Sequence, residues 1–75
     1  MNREAFNYMT LDAENGNVDA QQNLAKIYET GVDPDGESIL EVSIDYPKAL
    51  KWFHLAAEQG SELAVEDGKN LYEKM

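Results

Sequence analysis

Slid along itself by 44 residues, the chain meets its own pattern again. Ala5 falls on Ala49, Ala13-Glu14 on Ala57-Glu58, Gly16 on Gly60, Ala20 on Ala64 and Tyr28-Glu29 on Tyr72-Glu73. Tyr8 meets Trp52, and Met9 meets Phe53. Each match is slight alone, but all share one register. A period of this length marks a small supersecondary unit that buries its apolar face by stacking on its neighbour. Here the unit is present about one and a half times.

The spacing inside the unit is helical. Ala20, Leu24, Ile27 and Tyr28 recur at i, i+4, i+7 and i+8, and Ala49, Trp52, Phe53, Ala56 and Ala57 at i, i+3, i+4, i+7 and i+8. Ala64, Gly68, Leu71, Tyr72 and Met75 repeat the first stripe, and Ala5, Tyr8, Met9 and Ala13 the second. Asn2, Asn17, Asp45 and Ser61 stand where a short polar side chain can accept a bond from an unpaired helical N–H. Pro47 suits a first turn, and Gly16 and Gly60 suit the left-handed residue that ends a helix. The predicted fold is all-α. Four short antiparallel helices, about 2–15, 18–30, 46–59 and 62–74, form one and a half to two helix pairs, with one long loop over 31–45.

Length and charge bound the function. Seventy-five residues make a single domain, 1–75. There is no cysteine, so neither a disulfide nor a thiolate metal site can form. No apolar run approaches the roughly 18 residues of a membrane span. The stretch MNREAFNYMTLDAEN lacks the basic start and apolar run of a secretory signal. The chain starts with Met and is expected to be a complete short reading frame in the cytoplasm. Fifteen acids against six bases give a net charge of −9. That disfavours direct nucleic-acid or membrane-surface binding and favours a basic protein partner.

Two phrases carry a family resemblance. AQQNLAKIYETG (20–31) follows the pattern AxxxLGxxYxxG, with Ala25 for the usual Gly. DYPKALKWFHLAAEQG (45–60) follows DxxKAxxWYxxAAxQG, with Phe53 for the common Tyr. The chain resembles the Sel-one-like repeat family, a relative of the tetratricopeptide repeat, and the half-units at each end extend the likeness over almost its whole length. The resemblance implies stacked helix pairs that bind protein and do not catalyse. Three departures stand out. Asp12 takes the place of a core Ala, and Gly68-Lys69 takes the place of Leu-Gly, as edge helices allow. Gly31 and Asp45 are separated by about eight residues more than the family's short turn.

No catalytic or metal-binding constellation emerges. His54 is the only histidine and shares a face with Lys51 and Glu58. It lacks the partners that general-base or metal chemistry requires. The 31–45 loop is acid-rich, but with Gly36 at position 6 of a calcium loop, Gly31 falls at position 1 and Val42 at position 12, and neither is a side-chain ligand. No cofactor and no enzymatic activity are expected.

Residues 31–45 hold five acids and no base. Ile39, Leu40, Val42 and Ile44 are expected to cover helix ends, turning the acids outward. Asp33, Asp35, Glu37 and Glu41 are the expected partner-binding residues, by electrostatic capture. The resulting expectation is a non-enzymatic interaction module. In its sharper form it is a small acidic inhibitor, or an immunity or anti-defence protein of bacterial or phage origin, occupying a basic surface such as the nucleic-acid site of its target. The alternative is a self-associating scaffold or capping unit. It would be a homodimer with Leu71 and Tyr72, or Phe6 and Tyr8, at its seam.

Overall fold

Each helix starts where a short polar side chain holds an amide of the first turn. Asn2 Oδ1 accepts from the Ala5 N–H at 2.8 Å, Asn17 Oδ1 from Ala20 at 3.0 Å, Asp45 Oδ1 from Lys48 at 3.1 Å, and Ser61 Oγ from Ala64 at 3.2 Å. A cap of this kind is worth about 0.5–2 kcal/mol. The four helices are α1 (Arg3–Glu14), α2 (Val18–Thr30), α3 (Tyr46–Glu58) and α4 (Glu62–Lys74). They agree with the expected limits to within a residue at each end. The computed structural model describes residues 2–32 and 42–75.

The turns after α1 and α3 are made by the same device. Gly16 and Gly60 sit at φ +98° and +96°, in the left-handed region that costs glycine nothing. Consecutive helices therefore reverse direction, and α1 packs on α2, α2 on α3, and α3 on α4. The core runs along these contacts. Leu24, Ala25, Ile27, Ala49, Phe53, Ala56, Ala64 and Leu71 are buried almost completely, and Trp52 joins them. Alanine at 25, 49 and 56 lets the α2 and α3 backbones approach, while Trp52 and Phe53 supply volume. Tyr28 is half-buried against the same cluster and meets Phe6 edge to face, with ring centroids 6.2 Å apart.

Polar links tie α2 to the second helix pair. The buried Gln21 donates through Nε2 to the Ala13 carbonyl at 2.9 Å and accepts through Oε1 from Gln59 at 2.9 Å. Along one edge of α2, Gln22 accepts from Ser61, Lys26 lies 3.7 Å from Asp67, and Glu29 accepts from Lys74 at 2.8 Å. These partners ascend in both helices, so α2 and α4 run parallel, as equivalent members of two stacked units must.

Glu29 was not singled out in the sequence. Its side chain is 5% exposed in the last turn of α2, where the helix dipole disfavours an anion. Lys74 makes it tolerable, and Lys26 approaches the other oxygen at 3.6 Å. The hydrogen bond and charge of Glu29 raise the Lys74 pKa. The folded state thus holds this proton more tightly than the unfolded chain does. The stabilisation is complete below the ordinary lysine pKa of about 10.4 and disappears as pH rises through the higher folded value. Lys74→Met is expected to be less stable than the parent at pH 7. In urea unfolding at rising pH, the gap between the two should narrow as pH passes above the ordinary lysine range.

The 31–45 insertion is described only at its two ends. Gly31, at φ +78°, closes α2 by donating to the Ile27 carbonyl at 2.7 Å. The Asp45 N–H donates to the Tyr28 carbonyl at 2.8 Å, which brings the start of α3 back to the end of α2. Ile44 rests beside Gly31, where an added Cβ would lie 3.5 Å from its Cγ1. Val42 is half-buried, whereas Ile44 remains 56% exposed, so it covers less than expected. Residues 33–41, with Ile39 and Leu40, lie outside the described residues.

Candidate protein-binding surfaces

All four residues expected to bind a partner, Asp33, Asp35, Glu37 and Glu41, lie outside the described residues. What the structure gives is the place where their segment is rooted. Gly31 and Asp45, which flank it, are joined to the last turn of α2 through Ile27 and Tyr28. Lys48 lies over the Tyr28 ring at the same end, 5.1 Å from its centroid.

His54 is exposed on α3, with Nε2 3.0 Å from Glu58 Oε1 one turn on. An exposed pair of this kind contributes little. Among the described residues no group of three or more His, Cys, Asp or Glu could hold a metal ion. No described helix is long and apolar enough to cross a membrane.

Among the described residues, open grooves lie at both ends of the helix stack. The first, about 510 Å³, runs between α3 and α4. Phe53, Ala57, Ala64 and Gly68 contribute to its apolar floor, and Lys51, His54, Lys69 and Tyr72 to its rim. Lys51 lies over the Trp52 ring, 5.0 Å from its centroid. The second groove, about 450 Å³, runs between α1 and α2, with Ala5, Tyr8, Met9 and Ala20 beside Asp12 and Asp19. In a chain of net charge −9, the α3/α4 groove is rimmed by cations and the α1/α2 groove by anions. The register aligned the residues of these two faces, but the sequence alone did not show that both stay open.

Parallel equivalent helices, antiparallel pairs and open end faces define a helix-pair repeat protein. The chain belongs to the Sel1 repeat family, whose family model matches residues 18–61, from the start of α2 to the cap of α4. No curated protein and no solved structure matches it. Sel1 repeats mediate protein–protein interactions and are typically non-catalytic, which makes another protein the expected ligand.

Proposed function

We propose that this chain is a non-catalytic capture module that recognises a basic protein surface through its acidic insertion, as a small inhibitor or an immunity or anti-defence protein does. The charge distribution carries this reading. Residues 33–41 contribute four acids and no base to a chain of net charge −9. The flanks of that segment are anchored where the end of α2 meets the start of α3, so its four carboxylates are tethered to one end of the helix stack. A concentrated field of one sign steers an oppositely charged partner and speeds encounter, and salt weakens it. Gly31 and Asp45, the described ends of the insertion, are both held on the last turn of α2.

The test uses tagged protein and host lysate at low salt, followed by a salt step. The reading expects one basic protein, recovered in stoichiometric amount and released by salt. The variant Asp33→Asn, Asp35→Asn, Glu37→Gln, Glu41→Gln is expected to lose it while keeping the parent's helical circular dichroism. A partner held equally well by that variant would remove the insertion from the binding mechanism.

A further inference from the structure

The two helix pairs are built alike, yet their exposure differs, and the difference maps a contact. In the first pair Gln21, Ala25 and Glu29 are buried, and Tyr28 is half-buried. Their images one unit later, Val65, Lys69, Glu73 and Tyr72, are all exposed. The second pair covers the first, and nothing among the described residues covers the second. The opposite comparison holds at the other end. Ala49, Trp52 and Ala56 are buried against α2, whereas their images Ala5, Tyr8 and Asp12 on α1 are exposed. The α3/α4 groove is therefore the bed on which α3 and α4 lie, carried forward by one unit. The α1/α2 groove is the face that lies on such a bed, carried back by one.

We propose that copies of this chain dock head to tail, with α1 and α2 of one copy seated in the α3/α4 groove of the next, as α3 and α4 sit on the first pair. The polar seam supports this occupant. The α2 residues Gln22, Lys26 and Glu29 face Ser61, Asp67 and Lys74. Carried across by one unit, Glu66 faces Asn17, Asn70 faces Asn23, and Glu73 faces Thr30 of the second copy. The first two matches join a donor to an acceptor, the third requires the Thr30 hydroxyl to turn away from the Lys26 carbonyl, and none opposes like charges. Two links have no counterpart: Val65 would face Asn15 in place of Gln21–Gln59, and Glu4 would replace Lys48 beside the tyrosine ring.

The two residues that break the repeat are of opposite sign. Asp12 replaces the fully buried Ala56 on the seating face, and Lys69 replaces the fully buried Ala25 on the bed. Tyr28 meets the start of α3 and Gln21 meets Gln59 just beyond its end, so residue 25 lies opposite the middle of α3. By the same register Lys69 lies opposite the middle of a second copy's α1, within a lysine side chain's reach of Asp12. A neutral helix docked on either face would bury a lone charge, which is costly; a second copy brings the charge that removes the cost. Each docking leaves one seating face and one bed free, so the contact propagates as an open chain. This assembly uses no residue of the acidic insertion and stands or falls separately from partner capture.

The experiment is sedimentation velocity with multi-angle light scattering, from micromolar to millimolar chain, at physiological ionic strength so that the net charge of −9 on each copy is screened. The parent is expected to pass from monomer through dimer to larger species. Asp12→Lys and Lys69→Glu are each expected to weaken association on the order of tenfold or more. An equimolar mixture of the two restores complementary contacts and is expected to grow beyond two copies. A parent that stays monomeric at millimolar concentration overturns the proposal, as does association that stops at two copies or charge reversals with no effect. Circular dichroism of both variants, whose changes fall at exposed sites, separates lost association from lost folding.

Discussion

Phe53→Ala is expected to bring the chain to the edge of unfolding at room temperature. Phe53 is 1% exposed and sits at the centre of α3, the helix that touches both α2 and α4. Its Cβ lies 3.6 Å from where a Cβ on Gly68 would stand, so α4 is seated directly on it. Truncating a buried phenylalanine removes about 3–5 kcal/mol, through lost transfer energy and the cavity left behind. A 75-residue chain has a total stability of only about 4–11 kcal/mol. No disulfide takes up the loss, since the chain has no cysteine. Glycine at 68 limits repair, because it offers no side chain to lean into the void. Urea unfolding followed by helical circular dichroism and Trp52 fluorescence reads the effect directly. Phe53→Leu should cost markedly less, since it keeps most of the volume. Equal loss from both substitutions would mean that ring shape, rather than volume, holds α3 between its neighbours.

How much of this was legible in the sequence depends on how local each determinant is. The four caps, Asn2, Asn17, Asp45 and Ser61, act over three residues, and all four were readable from residue type and position. The 44-residue register was equally plain, because Ala49, Trp52, Phe53 and Ala56 must be small or large in a fixed order for α3 to lie on α2. The Glu29–Lys74 pair was not readable. The match of Tyr28-Glu29 to Tyr72-Glu73 was visible, but nothing nearby in the chain shows that Lys74, 45 positions away, comes within 2.8 Å. Gln21 was hidden for the same reason, since it reads as one more polar residue on a helix until its contacts with Ala13 and Gln59 are seen. The opposite charges of the two end grooves also depend on tertiary placement. Asp12 and Lys69 read as departures from a family pattern, and only the placement of α1 and α4 shows that they lie in opposite end grooves.

Neighbouring residues on α4 should separate stability from association. The sequence paired Leu71 with Tyr72 as a seam between copies, but the structure divides them. Leu71 is fully buried, as is its image Ile27, so it serves the core and is not available to a second copy. Tyr72 is 71% exposed on the rim of the α3/α4 groove, although its image Tyr28 is half-buried beneath the next helix pair. Leu71→Ala is therefore expected to lose about 2–5 kcal/mol of unfolding free energy, a large part of the total. Tyr72→Ala, at an exposed site, should stay within about 0.5 kcal/mol of the parent. Its effect should fall on self-association, where a tyrosine buried at a contact is a frequent anchor. Tyr8, 62% exposed on the opposite face, is its counterpart, and Tyr8→Ala should show the same division. Chemical unfolding at low concentration, beside sedimentation at high concentration, reads both effects for each variant. If Tyr72→Ala and Tyr8→Ala left assembly intact, the two tyrosines would be surface residues only, and head-to-tail docking would lose both of its aromatic contacts.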